Sequence, residues 1–216
     1  MLPQELGDRS ALYEKLKHGT TTVGIVCSDG VVLATDRRVT AGTYVAHKRG
    51  RKLFMLDDKK AATIAGLVAD AQMIMDFLKA HINNLKLTNR GPVTTRAVAN
   101  LASNVLFSSR YYPYIVQFII AGFDERGPSI YVLDWFGTLT EEKFIATGSG
   151  SPYAIAVVET MLKKNPAIAD ALPVIAKAVR ASIERDPGSG EGIDVITITQ
   201  EGIRELTDAE ISKLLA

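Results

Sequence analysis

The sequence predicts an α+β domain in which two antiparallel sheets are stacked face to face and helices cover both outer faces, a four-layer αββα sandwich. Strand-like segments come in pairs joined by short polar turns, and strands linked in this way pair antiparallel. Helical segments come in consecutive pairs rather than singly between strands, which argues against a parallel, doubly wound sheet. With 216 residues, of which 47% are hydrophobic, the chain has the size of one globular domain.

Composition excludes several classes of protein. The 25 basic and 24 acidic residues leave a net charge of +1, which does not indicate nucleic acid or an anionic membrane as a partner. The basic run from His47 to Lys52 is short and lacks aromatic residues for base stacking, so we interpret it as a solvated turn. No stretch approaches the roughly 18 consecutive apolar residues of a membrane span.

Cysteine and histidine usage points to a cytoplasmic protein without a metal or another cofactor. Cys27 is the single cysteine, which excludes an intrachain disulfide and fits a reducing compartment. It lies in a strand-like run, where we expect it to be a small buried apolar residue. The three histidines are too few and too scattered to indicate a metal site.

Turn signals and changes of hydrophobic period predict the order of the elements. Ser28-Asp29-Gly30 joins the first two strands as a hairpin, and a capping box at Thr207-Asp208-Ala209-Glu210 opens the last helix. We predict strands over residues 20–27, 31–35, 43–46, 52–56, 61–66, 114–121, 129–134, 139–146 and 193–199, with a short one after 202. We predict helices over residues 67–87, 94–109 and 170–185, with a further helix that starts near 152 and a last one after 207.

The first two helices carry apolar stripes that are predicted to face the core. On the first, Met73, Met75 and Phe77 are expected to widen the buried face. On the second, the residues expected to face inward are Ala97, Leu101 and Val105, with Val98 and Leu106 beside them.

The first 19 residues differ in character from the rest of the chain. The segment MLPQELGDRSALYEKLKHG carries charges throughout and lacks the apolar region of a secretory signal. It gives way abruptly to a strand pattern at Thr20. We therefore expect residues 1–19 to be a removable propeptide and residues 20–216 to be a single catalytic domain.

Thr20 is the candidate nucleophile. A threonine hydroxyl is weakly nucleophilic without a base beside it, and one remedy is to cut the preceding peptide bond and use the freed α-amine as that base. An α-amine titrates at roughly 7.7 to 8.0, so an appreciable fraction is unprotonated at neutral pH. Gly19 suits the cut, because without a Cβ the backbone bends enough for the Thr20 hydroxyl to approach the preceding carbonyl. Taken alone, residues 20–22 are also typical of the start of a β-strand.

Six motifs in one order decide between these interpretations. Together they resemble the proteasome β subunits, in particular archaeal ones, of the N-terminal threonine nucleophile hydrolase family, over nearly all of residues 20–205. The resemblance implies the N-terminal nucleophile hydrolase fold and a threonine endopeptidase that degrades unfolded polypeptides after cutting itself between Gly19 and Thr20. The motifs are Gly19-Thr20-Thr21-Thr22-Val23-Gly24, Thr35-Asp36-Arg37-Arg38, Lys52-Leu53-Phe54, Ile64 to Gln72, Gly148-Ser149-Gly150-Ser151, and Asp186 to Ile193.

The same resemblance implies the roles of the site residues. Thr20 is the nucleophile, and Asp36 and Lys52 are its charged partners. A positive charge on Lys52 would disfavour the protonated α-amine, and Asp36 would pair with that charge. Gly66 would offer its backbone N–H to the oxyanion. The polar network is completed by Ser149, Asp186 and Ser189.

The substrate pocket is implied in the same way. It is apolar, with no charge placed to select a basic or an acidic side chain, so we expect cleavage mainly after hydrophobic residues unless Arg49, Arg51 or a neighbouring subunit alters the preference. The residues implied are Val39, Gly50, Phe54, Ile64 and Val68.

Partners also follow from the resemblance. The family forms stacked seven-membered rings, with β rings inside and α rings capping them, and an ATPase ring supplies unfolded polypeptides. Two alternatives remain at this level. One is a structural β subunit that fills a ring and is never processed. The other is an amidase for small molecules with the same fold, which the glycine motifs and Lys52-Leu53-Phe54 disfavour.

Overall fold

The structure is a computed structural model that describes residues 19–89 and 91–216, so the expected propeptide lies outside the described residues except for Gly19. The strands are β1 (Thr22–Cys27), β2 (Gly30–Asp36), β3 (Val39–Ala41), β4 (Tyr44–His47), β5 (Leu53–Asp57), β6 (Lys60–Gly66), β7 (Val116–Asp124), β8 (Gly127–Leu133), β9 (Leu139–Glu142), β10 (Phe144–Thr147), β11 (Ile193–Thr199) and β12 (Gly202–Glu205). They form two five-stranded antiparallel sheets, ordered β10-β1-β2-β11-β12 and β5-β6-β7-β8-β9, and a separate β3-β4 hairpin.

Helices cover the outer face of each sheet. They are α1 (Val68–Asn89), α2 (Thr95–Ser108), α3 (Ser151–Met161), α4 (Ile168–Arg185) and α5 (Asp208–Leu215). Helices α1 and α2 pack on the β5–β9 sheet, and α3, α4 and α5 pack on the other sheet. The α+β class and the four-layer αββα sandwich predicted from the sequence are therefore confirmed.

Three apolar clusters hold the layers together. One lies beneath α1 and α2, where Ile74 and Leu78 meet Phe118 of β7. A second lies beneath α4, where Ile175 and Val179 are fully buried and contact the β1 side of the other sheet. The third fills the space between the sheets and contains Val31, Leu33, Leu53, Ala61, Ile119, Ala121, Ile130, Ile196 and Ile198. Cys27 is 2% exposed, as predicted, and burial is the main reason that the pKa of its thiol is raised to about 12.

The predicted strand over residues 139–146 is wrong in one respect, because it is two strands in different sheets. β9 pairs with β8, and after a bend at Lys143 the chain continues as β10, which pairs with β1. The Lys143 carbonyl accepts a hydrogen bond from Val26 N–H at 2.7 Å as the chain crosses. Neither half shows a regular alternation of apolar and polar residues, so hydrophobic period does not reveal the crossing.

Two predictions of buried helix faces are correct only in part. Met73 is 50% exposed and Phe77 is 39% exposed, whereas Met75 between them is fully buried. On α2, Ala97 is exposed, whereas Leu101 and Val105 are half-buried and pack against the core as expected. The small residues on that helix instead let it lie close to the sheet, and its buried positions are Thr95, Val98, Ala99, Ala102 and Leu106.

Within residues 19–89 and 91–216, no helix has the length and apolar character needed to cross a bilayer. The same residues contain no cluster of three or more His, Cys, Asp or Glu side chains arranged to hold a metal ion.

Candidate active site

Thr20 lies just before β1, in a position set by backbone contacts. Its side chain and backbone are 3% exposed, its N–H donates to the Ser149 hydroxyl at 3.1 Å, and its carbonyl accepts from Gly150 N–H at 3.2 Å. Gly148 has φ +90°, and a Cβ there would lie 2.2 Å from the Thr20 carbonyl oxygen. The glycines of the turn before α3 therefore allow the close approach that holds Thr20.

Asp36, at the end of β2, is fully buried and accepts four hydrogen bonds. One carboxylate oxygen accepts from Thr21 N–H at 2.9 Å and from the Lys52 ammonium at 2.6 Å. The other accepts from the backbone N–H groups of Arg38 at 3.0 Å and Gly190 at 2.9 Å. Every partner is a donor, which complements an ionised carboxylate. The Asp36 N–H in turn donates to the Thr21 carbonyl, so Asp36 is fixed to the residue that follows Thr20.

Lys52 precedes β5 and reaches across to Asp36 from the other sheet. It is 3% exposed, and its carbonyl accepts from Ile64 N–H at 3.1 Å, which anchors its backbone to β6. Burial lowers the pKa of Lys52 from the ordinary lysine value, although the neighbouring Asp36 charge acts in the opposite direction. Lys52 therefore releases its proton more readily than a surface lysine does.

A second polar network, made of hydroxyls and one carboxylate, contacts Thr20 and Thr21. One oxygen of Asp186 accepts from the hydroxyls of Ser149 at 2.6 Å and Ser189 at 2.7 Å. The Ser189 hydroxyl is also 2.7 Å from the Thr21 hydroxyl. Asp186 caps the C-terminus of α4, so the packing of α4 on the sheet positions this carboxylate. The structure thus brings together Thr20, Asp36, Lys52, Ser149, Asp186 and Ser189, the six residues that the sequence singled out.

A buried cluster of threonine hydroxyls was not predicted. Thr22 of β1 is 2.7 Å from Thr147 of β10 and 3.0 Å from Thr63 of β6, hydroxyl to hydroxyl, so the cluster links the two sheets close to Thr20. In the sequence these residues look like ordinary β-branched strand residues, and their period gives no sign of the contact. Arg38 was also missed as a support, although its guanidinium donates to the Pro187 carbonyl at 2.8 Å.

Gly66 lies at the edge of a cavity beside Thr20. The cavity has a volume of about 540 Å³, and Gly19, Gly66, Ser149, Asp186 and Gly188 contribute to its wall. Gly66 has φ +123°, and a Cβ there would lie 2.1 Å from the Ile115 carbonyl oxygen. Glycine is thus required at this position for both its conformation and its size.

The expected substrate pocket corresponds to a second cavity, with two differences. Its volume is about 860 Å³, and Val39, Gly50, Phe54 and Val68 line it, whereas Ile64 does not. Ile64 is 2% exposed and belongs to the apolar cluster beneath α1. The lining also contains the basic residues His47, Lys48, Arg49, Arg51 and Lys52, so Arg49 and Arg51 lie where they can alter the expected preference for hydrophobic residues.

The sequence profile of the proteasome subunit family matches residues 16–198. The chain belongs to the proteasome subunit family. It is 51% identical over 189 residues to "Proteasome subunit beta 1" of Pyrobaculum calidifontis, covering 87% of this chain and 94% of that protein. It is 52% identical over 191 residues to "Proteasome subunit beta 1" of Caldivirga maquilingensis, covering 87% of this chain and 93% of that protein. It is 45% identical over 190 residues to "Proteasome subunit beta 2" of Aeropyrum pernix, covering 88% of this chain and 86% of that protein. Membership places the chain among the subunits of a protease, a peptide-bond hydrolase.

Proposed function

We propose that this chain is a catalytic β subunit of a proteasome core, a threonine endopeptidase that removes its own residues 1–19 and then uses Thr20 to hydrolyse unfolded polypeptides. The proposal rests on the hydrogen bonds that hold Thr20 and Thr21 between two polar groups. Thr21 N–H donates to Asp36 of the buried Lys52–Asp36 pair, and Thr20 N–H donates to Ser149, which donates to Asp186. A buried lysine beside a hydroxyl-bearing residue supplies the base that a threonine nucleophile lacks.

Self-cleavage needs a proton acceptor before any free amine exists. The Thr20 hydroxyl attacks the Gly19 carbonyl carbon, and its proton passes to Lys52, whose lowered pKa makes the neutral amine accessible. The bond from that carbon to the Thr20 nitrogen then breaks, and the nitrogen takes up the proton from Lys52. Water hydrolyses the resulting ester, which releases the Gly19 carboxylate and leaves a free α-amine and hydroxyl on Thr20.

Peptide hydrolysis then uses the new α-amine as the base. The amine takes the hydroxyl proton as Thr20 attacks the scissile carbonyl, an acyl-enzyme ester forms and the amine product leaves with that proton. Water hydrolyses the ester and restores Thr20. A positive charge on Lys52 keeps a larger fraction of the amine unprotonated near neutral pH. The Gly66 N–H at the cavity edge is proposed to stabilise the oxyanion.

The proposed assembly is that of stacked seven-membered rings, with α subunits capping the β rings and an ATPase ring supplying substrate in the cytoplasm. Relatives covering most of the chain are named proteasome subunit beta, which supports a place within such a ring. Exposed apolar side chains also support burial by neighbouring subunits. The most exposed of these are Tyr44, Met73, Leu87, Phe107, Tyr111, Tyr112 and Phe136.

Intact mass after assembly with the α subunits tests the proposal. We expect the wild-type chain to lose residues 1–19 and to hydrolyse a fluorogenic peptide that ends in leucine. A Thr20→Ala variant is expected to keep its leader and to be inactive, because it lacks the attacking hydroxyl. Thr160→Ala, an exposed threonine on α3, is the matched control that processes normally. A full-length wild-type mass in an assembled and silent particle would contradict the proposal and favour the structural subunit.

The basic lining of the larger cavity predicts which charged residue is preferred before the cleaved bond, after the hydrophobic ones. Peptides with leucine before the cleaved bond are expected to be best, since Val39, Phe54 and Val68 offer apolar contacts. Glutamate is expected to be preferred over arginine by about fivefold to tenfold, as charges near a surface interact by about 1 kcal/mol or more. Comparing kcat/KM for three otherwise identical peptides measures this. The double variant Arg49→Ala/Arg51→Ala is expected to reduce the difference between glutamate and arginine, and an unchanged ratio would contradict the assignment.

A further inference from the structure

Gly19, the residue before the bond to be cut, lies directly against Gly188. A Cβ added to Gly19 would lie 2.0 Å from the Gly188 Cα. A Cβ added to Gly188 would lie 2.3 Å from the Gly19 Cα and 3.2 Å from the Gly19 carbonyl carbon, the atom that Thr20 must attack. Gly188 does not have a positive φ, so its φ angle does not by itself require glycine. What excludes a side chain at 188 is therefore Gly19 itself.

Neither glycine is free to move aside. Gly188 N–H donates to the Asp186 carboxylate at 3.2 Å, and the next two residues are fixed by Ser189 N–H to the Asp186 carbonyl and Gly190 N–H to Asp36. On the other side, Gly19 N–H donates to the Thr40 hydroxyl at 2.8 Å. An added methyl group would displace either the segment around Gly188 or the segment around Gly19. The second of these carries the scissile carbonyl.

We propose that Gly188 is a specificity-determining residue for self-cleavage: it forms with Gly19 a slot that admits only a residue without a side chain and so aligns the Gly19 carbonyl with Thr20. This inference rests on the self-cleavage proposed above. Peptide substrates enter after Gly19 has left, and their side chains have the larger cavity lined by Val39 and Phe54 instead. With Gly19 gone, the closest remaining contact of a Cβ at 188 is the Ser149 hydroxyl at 3.1 Å, which a shift of a few tenths of an ångström relieves.

The two reactions should therefore respond differently to Gly188→Ala. In the full-length chain assembled with α subunits, the rate of self-cleavage is expected to fall by about 100-fold, the effect of misplacing a reacting atom by about 1 Å. Intact mass measured over time gives this rate. Peptide hydrolysis per free Thr20 N-terminus is expected to fall much less than self-cleavage does, because the contact with Gly19 is gone and only the Ser149 hydroxyl has to shift. If too few processed subunits accumulate, a ubiquitin fusion cut before Thr20 supplies them, with the wild-type fusion as reference.

Gly127→Ala is the matched control. Gly127 has φ +92°, and no atom of the described residues lies within 4 Å of an added Cβ, so the change strains the backbone without a contact to Gly19 or Thr20, and processing is expected to continue. Self-cleavage of Gly188→Ala at the wild-type rate would overturn the proposal. An equal loss of both reactions would also overturn it, because Gly188 would then serve the shared chemistry. Failure of the proposed function is distinguishable, since in that case the wild-type chain itself keeps residues 1–19.

Discussion

A Lys52→Ala variant is expected to keep residues 1–19 and to lose peptide hydrolysis while its fold survives. The loss of rate should be about 10²- to 10⁴-fold, the usual contribution of a positioned proton acceptor. The fold should survive because Asp36 keeps three backbone donors, from Thr21, Arg38 and Gly190, after the ammonium is gone. We expect a loss of about 1–3 kcal/mol in the free energy of unfolding, that of one hydrogen bond to a charged group. Intact mass, peptide hydrolysis and urea denaturation measure the three effects.

Lys60→Ala is the matched control for this variant. Lys60 is also a buried lysine, 4% exposed, and its ammonium lies 3.1 Å from Asp57 in a buried ion pair. It opens β6, the strand that ends at Gly66, so it has the same chemistry at the opposite end of that strand. Lys60→Ala is expected to lose stability yet to process its leader. Normal processing in Lys52→Ala, or loss of processing in both variants, would contradict the role given to Lys52.

Much of the fold is predictable because local signals agree with the packing. Ser28-Asp29-Gly30 lies at the turn between β1 and β2, and the capping box at Thr207 and Glu210 opens α5 as expected. Where the local signal is weak, the prediction fails. The chain crosses between sheets at Lys143, and neither side of the bend carries a regular alternation that would mark the change of sheet. The choice of buried face on α2 depends on how closely Ala99 and Ala102 let it approach the sheet, which propensity does not encode.

The candidate site was predictable as a set of residues but not as a geometry. The motifs point to Lys52, Asp36 and Ser149, yet spacing does not show that Asp36 accepts four donors. The hydroxyl contacts of Thr22 with Thr63 and Thr147 depend on the stacking of two sheets, and the contact of Gly19 with Gly188 depends on a loop at the end of α4. Contacts of this kind join residues far apart in sequence, so they follow from the tertiary structure.

An Asp36→Ala variant is expected to lose far more stability than Lys52→Ala, although both break the same pair. Removing the carboxylate leaves the Lys52 ammonium buried without its partner, which costs about 3–5 kcal/mol. It also leaves the N–H groups of Thr21, Arg38 and Gly190 without their acceptor, at about 1–3 kcal/mol each where they stay dry. The sum approaches the whole stability of a typical domain, about 5–15 kcal/mol, so the variant is expected to be largely unfolded at neutral pH. Urea denaturation of the purified chain measures this, and Asp36→Asn, which keeps one acceptor oxygen, is expected to lie between the two alanine variants.

The pH dependence of the same variant separates the buried charge from the lost hydrogen bonds. In the wild type, burial lowers the pKa of Lys52 despite the neighbouring Asp36, and removing Asp36 lowers the pKa further. The unfolded chain then binds more protons than the folded chain at pH values between the two pKa values of Lys52, so stability rises with pH towards the ordinary lysine value of 10.5. The stability deficit of Asp36→Ala relative to wild type is therefore expected to shrink between pH 7 and about pH 10, while the part due to orphaned N–H groups stays constant.

The comparison with wild type cancels the contribution of groups such as the Cys27 thiol, whose raised pKa makes stability fall with pH over the same range. A deficit that does not change with pH would contradict the interpretation of the Lys52–Asp36 contact as a buried ion pair.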